Sequence, residues 1–341
     1  MKIAIIGTGL EGLVTGACFA DRGHHVTCCD DDGARIARLH AGQVPAAEPG
    51  LQSLVETGLE RGALTFTTDL AAAVRSSHVI VLAVPVPVHV DGSQDTTRVL
   101  DMAGIIGRAA NDTKVVALVC ATPLGTYERA RRCIERETDF AVHLAVVPTL
   151  LEEGDALRGF RNPERIVLGT HSGYAATLLR DLYASVVAAE CPVLVTDPTS
   201  AEVARSAIGA MLAARATLMS SVVRLCERTG ADPDAVLGAG PVFGSPPPRA
   251  TPARPATPSL AGQLRVLQRI MAESGVDAPA LEVLDDGAAR VGDGAGHALP
   301  NALRLLRTYA MCARSTRFRG RRRAREQTFQ GGLNHGQDHQ P

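Results

Sequence analysis

The chain has 341 residues, of which 45% are hydrophobic and 21% are charged, and this composition excludes a disordered or fibrous protein. Its 35 basic and 36 acidic residues give a formal charge of −1, so no overall field marks it as a nucleic-acid or acidic-membrane binder. Eight cysteines without a CxxC pair favour reduced thiols in a cytoplasmic protein. No apolar run approaches the ~18 residues of a membrane span, so no membrane partner is predicted. Lysine occurs only at Lys2 and Lys114, so a mechanism that needs a titrating lysine must use one of these two.

The first thirty residues have the pattern of a βαβ unit. An apolar, β-branched run at 2–6 leads into Gly-Thr-Gly-Leu-Glu-Gly at 7–12, and a helical pattern follows over 13–22. A second strand pattern at 25–29 ends at Asp30. This is GxGxxG between a strand and a helix, with an acid about 20 residues further on, which predicts a dinucleotide site.

Each residue of this motif has a predicted task. Gly7 permits the tight turn, Gly9 lets the backbone approach a pyrophosphate, and Gly12 lets the helix pack on the strand. Asp30 would accept hydrogen bonds from the adenosine ribose, which favours NAD as cofactor over NADP. Glu11 places an acid beside the expected phosphates, where it would repel them unless it points to solvent. The alternative is a glycine-rich turn that holds no ligand.

Strand and helix patterns then alternate, which predicts an α/β fold with a doubly wound parallel sheet of the Rossmann type. The further predicted strands are 64–67, 79–84, 115–119, 142–146, 166–168 and 193–195. The predicted helices include 69–75, 98–109 and 173–185. An uninterrupted helical pattern over 199–228 predicts a long spine helix that connects two domains.

Three segments are expected along the chain. They are an NAD-binding Rossmann-type domain at 1–198, the spine helix with a small helical second domain at 199–300, and a C-terminal segment at 301–341. Six prolines at 245–258 predict an extended linker within the second segment.

Beyond the linker, one amphipathic helix is predicted at 260–275 and another at 278–289. Seven arginines lie between Arg314 and Arg325. Our main interpretation of this region is a solvated, disordered tail. The alternative is an anion or nucleic-acid tether, whose binding would weaken steeply with salt.

Several segments, in consistent order over residues 1 to about 230 and more weakly over 259–285, resemble the UDP-glucose/GDP-mannose dehydrogenase family. The matching segments are 7–20, 48–51, 66–70, 123–126, 162–167 and 200–202. The resemblance implies oxidation of a nucleotide-sugar C6 alcohol to a carboxylate in two hydride transfers to NAD, through a thioester on a cysteine. It also implies a second Rossmann-like domain that helps to bind the nucleotide sugar. No strand–helix alternation follows residue 290, so this domain is predicted to be missing.

The catalytic positions implied by the resemblance hold other residue types. The replacements are Pro246 for the cysteine, Ala250 for the aspartate, Arg205 for the lysine, Gly209 for the asparagine, Ala121 for the threonine and Thr149 for the glutamate. Without the nucleophile the covalent route is lost, so we predict that the four-electron oxidation is absent. Cys120 is the one plausible substitute thiol, and a buried structural thiol is the preferred interpretation.

Two function classes remain. The first is a divergent NAD-dependent oxidoreductase that performs one hydride transfer on a sugar nucleotide or another small alcohol. The second is a non-catalytic family member with a binding, regulatory or assembly role. In both, the expected partners are a small-molecule or nucleotide-sugar ligand and a second copy of the chain bound through the spine helix. No catalytic residue, metal site or nucleic-acid partner is predicted.

Overall fold

The computed structural model describes residues 1–46, 48–149, 151, 153–188, 190–239, 260–282 and 284–285. The predicted linker at 245–258, the loop that holds Pro246 and Ala250, and the C-terminal segment lie outside the described residues. The chain divides into two compact units. The first contains Met1–Ala214 and Thr251–Ala288, and the second contains Arg215–Ala250 and Ala289–Pro341.

Strands and helices alternate through the described part of the first unit, as predicted. The strands are β1 Lys2–Ile6, β2 His25–Cys29, β3 Leu64–Thr67, β4 Val79–Leu82, β5 Lys114–Leu118, β6 Val142–Val146, β7 Ile166–Gly169 and β8 Val193–Thr196. The helices are α1 Leu10–Asp21, α2 Gly33–His40, α3 Leu51–Glu60, α4 Leu70–Ser76, α5 Thr97–Ala109, α6 Thr126–Glu135, α7 Ala156–Arg161, α8 Gly173–Ala184, α9 Pro198–Thr229, α10 Pro233–Gly238 and α11 Leu260–Glu273. Beyond α11, residues 279–282 and 284–285 are also helical, within the range predicted for a second amphipathic helix.

The eight strands form one sheet in the order β3-β2-β1-β4-β5-β6-β7-β8. The five pairings that join β1 to β6 with one another are all parallel, and the order reverses between β1 and β4, which confirms the doubly wound Rossmann-type sheet. The far edge differs from a purely parallel sheet. Strand β7 runs antiparallel to β6 and meets it at a single pair, Val146 and Gly169, whereas β8 is parallel to β7.

The core lies on both faces of this sheet. Successive side chains of a strand point to opposite faces, so Ile3 and Ile5 of β1 pack in one cluster while Ala4 and Ile6 pack in the other. All four are at most 2% exposed. Burial on both faces explains why β1 is a continuous apolar run without polar alternation.

Both lysines lie at the amino ends of the parallel strands. Lys2 begins β1, and Lys114 begins β5. The Lys114 side chain is buried, and its Nζ donates to the carbonyl of Ser77 at 2.7 Å and pairs with Asp112 at 2.5 Å. These partners compensate the burial of its charge. The carboxyl ends of the parallel strands, where α/β proteins bind their ligands, lie at the opposite edge.

Helix α9 corrects one expectation. An 18-residue window within it has a mean hydropathy of 1.4, so by length and composition this helix could cross a membrane. The sequence analysis overlooked it because serine, glycine and threonine interrupt the apolar residues without adding charge. Its burial is partial, since 39% of that window is buried inside the structure, and helices of soluble proteins can pass the same test. Length and composition are therefore weak grounds for a membrane span here.

Helical contacts continue the core in each unit. In the first unit, Leu264 of α11 packs with Ala210 and Ala213 of α9. In the second unit, the described residues form a small cluster of Met219, Val223 and Leu237.

Candidate functional site

The turn between β1 and α1 depends on Gly7. Its φ is +104°, in the region that favours glycine, and a Cβ there would lie 2.4 Å from the Ala83 carbonyl oxygen. Its amide donates to the carbonyl of Cys29 at 2.8 Å, which ties the turn to the end of β2. The chain can therefore make this turn only with glycine at position 7.

The other two glycines of the motif have opposite surroundings. A Cβ at Gly12 would lie 1.9 Å from the carbonyl oxygen of Gly7, so Gly12 allows the close packing of α1 on the turn. A Cβ at Gly9 would meet nothing within 4 Å. Gly9 is the N-cap of α1 and provides no side-chain cap, so the backbone N–H groups of the first turn are available to an anion.

Asp30 lies beside this turn at the end of β2. Its Oδ2 accepts hydrogen bonds from the Thr8 amide at 2.9 Å and the Thr8 hydroxyl at 2.7 Å, and its Oδ1 accepts from the Asp32 amide at 3.2 Å. A guanidinium nitrogen of Arg35 lies 3.6 Å from the carboxylate. Asp30 thus fixes the glycine turn against β2, and Oδ1 retains acceptor capacity for a further donor.

The Glu11 side chain is half-buried and is directed toward the end of β6. Its carboxylate accepts a hydrogen bond from the hydroxyl of Thr149, which follows β6. Burial raises the pKa of the Glu11 carboxyl to about 7, and the charge of Arg205 opposes this rise. The position that holds a glutamate in the resembled family therefore holds a threonine that is bonded to a carboxylate from α1.

Arg205, on α9, is the cation of this region. Its Nε is completely buried and has no hydrogen-bond partner in the structure. Burial lowers the pKa of Arg205, while the carboxylate of Glu11 acts in the opposite direction. Glu11, Cys120 and Thr149 follow the carboxyl ends of β1, β5 and β6, so these side chains share one edge of the sheet with the glycine turn.

Position 209, one turn further along α9, has a neighbour from α11. A Cβ at Gly209 would lie 3.1 Å from Gln263 Oε1 and 3.4 Å from Arg205 Nη1. The carboxamide of Gln263 therefore lies beside the place where a side chain at 209 would begin. The sequence analysis missed Gln263, although a glutamine next to the apolar stripe of α11 was a usable signal.

Cys120 is buried, with 5% of its surface exposed. Burial, and secondarily the charge of Glu11, raises the pKa of its thiol to about 12. The thiol is therefore protonated near neutral pH and is a poor nucleophile there.

Two further acids of the matching segments have structural tasks. Glu202 accepts hydrogen bonds from the amides of Gly125 and Tyr127, both at 2.7 Å, at the start of α6. Glu48 accepts from the amides of Gly154 at 2.7 Å and Leu157 at 3.1 Å, at the start of α7. These buried carboxylates connect distant segments and satisfy helix N-termini. Among the described residues, no group of three or more His, Cys, Asp or Glu could hold a metal ion.

Comparisons with known proteins agree with this architecture. Residues 1–187 match the NAD binding domain of the UDP-glucose/GDP-mannose dehydrogenase family. The chain is 37% identical over 237 residues to UDP-glucose 6-dehydrogenase of Pseudomonas aeruginosa, covering 68% of this chain and 52% of that protein. It is 38% identical over 233 residues to UDP-glucose 6-dehydrogenase TuaD of Bacillus subtilis, with 68% and 50% covered.

Among solved structures, a UDP-glucose dehydrogenase from Pyrobaculum islandicum superposes with a TM-score of 0.74 at 27% identity, covering 85% of this chain and 67% of that one. The chain spans about half the length of the curated relatives that it matches. With its glycine turn, its sheet order and these matches, the chain belongs to the UDP-glucose/GDP-mannose dehydrogenase family and contains that family's NAD binding domain.

Proposed function

We propose that NAD binds with its pyrophosphate at the start of α1 and its adenosine ribose at Asp30. The observation that carries this proposal is the open backbone at Gly9, which has no side-chain cap and lies next to the buried Asp30 carboxylate. Helix N-termini of this kind bind phosphate through unpaired N–H groups and the helix dipole. Gly7 and Gly12 hold the turn, and the half-buried Glu11 carboxylate is bonded to Thr149.

The test is a titration of the purified protein with NADH, followed by the fluorescence of the cofactor. We expect micromolar binding that Asp30→Ala weakens strongly, because the ribose loses its acceptor. Asp101→Ala, an exposed acid on α5, is the matched control and should bind like the wild type. Thermal unfolding of each variant shows whether the fold is intact. Absence of NADH binding by folded wild-type protein up to millimolar concentration would overturn the proposal.

We further propose that the chain does not perform the four-electron oxidation of a UDP-sugar. The nucleophile position holds Pro246, and the thiol of Cys120, the one plausible substitute, is buried and protonated near neutral pH. Arginine cannot exchange a proton near neutral pH as lysine can, so Arg205 does not take over that role. Incubation with UDP-glucose and NAD, followed by chromatography, should yield no UDP-glucuronate, and NAD-coupled formation of that product would refute the proposal.

Two roles remain compatible with these losses, a single hydride transfer on a small alcohol and a purely binding role. The polar side chains of Glu11, Thr149 and Arg205 at the carboxyl edge of the sheet support a role that includes ligand binding. We also propose a cytoplasmic location, which is supported by the seven cysteines that are free among the described residues.

A homodimer through α9 is the assembly that we propose. Met211, Leu218 and Leu225 are 70%, 61% and 61% exposed, and their spacing of seven residues places them on one face of the helix. Light scattering should give twice the mass of the chain for the wild type and the mass of one chain for Leu218→Glu. A monomeric wild-type protein would contradict this assembly.

A further inference from the structure

Glu11 is an ionisable side chain in the first turn of α1, the helix whose start is the proposed pyrophosphate site. Its carboxylate accepts a hydrogen bond from the Thr149 hydroxyl, which holds it near this end of the helix. A carboxylate and a phosphate at one helix N-terminus are both stabilised by the same positive end of the helix dipole, and they repel each other. The protonation state of Glu11 therefore affects any anion that binds there.

Thr149 can pair with Glu11 in either protonation state. Its hydroxyl lies within hydrogen-bond reach of two acceptors, the Glu11 carboxylate and the carbonyl oxygen of Val119 at 3.3 Å. A hydroxyl has one proton to donate and can also accept. When Glu11 is ionised, the hydroxyl donates to it. When Glu11 is protonated, the hydroxyl can accept from the acid and donate to Val119, so proton uptake leaves no donor of this set unpaired.

The other titratable groups around Glu11 keep one charge near neutral pH. Those that interact with it electrostatically are Arg205 on α9, Tyr183 on α8 and Cys120 after β5. Arginine stays protonated. Burial raises the pKa of the Tyr183 hydroxyl and raises the pKa of the Cys120 thiol to about 12, so both groups are neutral. Glu11, whose pKa burial raises to about 7, is the member of this set that changes charge between pH 6 and pH 8.5.

We propose that the binding of a dinucleotide at the start of α1 is coupled to proton uptake by Glu11. This inference rests on the proposed dinucleotide site. A bound pyrophosphate disfavours the ionised form of a nearby carboxyl, so the pKa of Glu11 is higher in the complex than in the free protein. By linkage, protonation of Glu11 strengthens dinucleotide binding by the same factor. The affinity for the dinucleotide therefore falls as the pH rises through about 7.

The test is a titration of the purified protein with NADH at pH 6 and at pH 8.5, followed by the fluorescence of the cofactor. Wild-type protein should bind about tenfold more weakly at pH 8.5, which is a typical coupling between two sites. Glu11→Gln keeps an acceptor for the Thr149 hydroxyl but cannot ionise. It should bind equally at both pH values, and more tightly than the wild type at pH 8.5. Glu60→Gln, an exposed acid on α3, is the matched control and should keep the wild-type pH dependence.

Calorimetry measures the proton uptake directly. NADH binding at pH 7.5, in two buffers with different enthalpies of ionisation, should show uptake of about half a proton by the wild type and none by Glu11→Gln. Thr149→Val removes the hydroxyl that stabilises the carboxylate, so the fall in affinity should move to higher pH. A merely structural role of Thr149 would not move it.

Two outcomes separate this inference from the dinucleotide site itself. Equal NADH affinity of the wild type at both pH values, or a pH dependence that Glu11→Gln retains, would overturn the coupling and leave the dinucleotide site standing. Absence of NADH binding by folded protein at both pH values would overturn the site and the coupling together. Thermal unfolding of each variant shows whether the compared proteins are folded.

Discussion

Replacement of Glu11 by glutamine should make the protein more stable above neutral pH. The carboxyl has an ordinary pKa of 4.5 and a pKa of about 7 in the folded chain, because burial disfavours its ionised form. This difference corresponds to about 3 kcal/mol, and the partial exposure of the side chain reduces our expected gain to about 2 kcal/mol. Glutamine keeps an oxygen that can accept the hydrogen bond from Thr149.

The sign of the pH dependence follows from the two pKa values. Below pH 4.5 the carboxyl is protonated in both the folded and the unfolded chain, so wild type and Glu11→Gln should have similar free energies of unfolding. Between pH 4.5 and about 7 the unfolded chain loses its proton first, so the wild type is progressively destabilised relative to the variant. Above pH 7 the difference is complete.

Urea unfolding at pH 4 and pH 8, followed by circular dichroism, measures this difference. Glu60→Gln, an exposed acid on α3, is the control and should change the free energy by less than about 0.5 kcal/mol at either pH. A variant that is less stable than the wild type at pH 8 would refute the reasoning. So would an advantage of the same size at both values of pH.

Three further changes test separate contacts. Glu202→Gln should lower the free energy of unfolding by about 1–3 kcal/mol, because the two amides at the start of α6 then share one neutral acceptor. Urea unfolding measures this change. Gly12→Ala should lower the free energy of unfolding by about 3 kcal/mol or more, since the added methyl group would clash with the Gly7 carbonyl. Gly9→Ala should leave the unfolding midpoint nearly unchanged, because the added methyl group meets nothing within 4 Å. It should, however, weaken NADH binding. The Cys120 thiol should react with a disulfide reagent at pH 8 far more slowly in native than in urea-unfolded protein. Peptide mass spectrometry measures the rate of modification at Cys120. Equal rates in native and unfolded protein would contradict the burial of this thiol.

The sheet could be predicted from the sequence because its signals are local. The run at 2–6 is apolar and β-branched, and the turn that follows it needs glycine at Gly7 and Gly12 for reasons visible in the motif itself. The predicted strands from 64–67 to 193–195 agree with the observed strands to within two residues. The reversed direction of β7 has no such signal, since strand direction depends on how the chain returns to the sheet.

The arrangement of Glu11, Thr149 and Arg205 could not be predicted because its contacts join distant segments of the chain. The hydroxyl that donates to Glu11 belongs to Thr149, 138 residues away in sequence, so no local pattern predicts the orientation of this acid. The sequence shows only that position 209 is glycine, while the carboxamide that lies beside it comes from Gln263 on another helix. Contacts of this kind between distant segments cannot be found by comparing a sequence position by position.

The buried carboxylate of Glu202 has a consequence for competition between anions. It accepts hydrogen bonds from the amides at the start of α6. Because Glu202 is part of the chain, its effective concentration there exceeds that of free phosphate in solution. The start of α1 has no such resident, because its N-cap is Gly9. A dinucleotide can therefore bind at the start of α1 without displacing a carboxylate. At the start of α6 it would have to compete with the carboxylate of Glu202. The preference of the dinucleotide for the start of α1 therefore depends on the Glu202 carboxylate at the start of α6 as much as on the uncapped amides of α1.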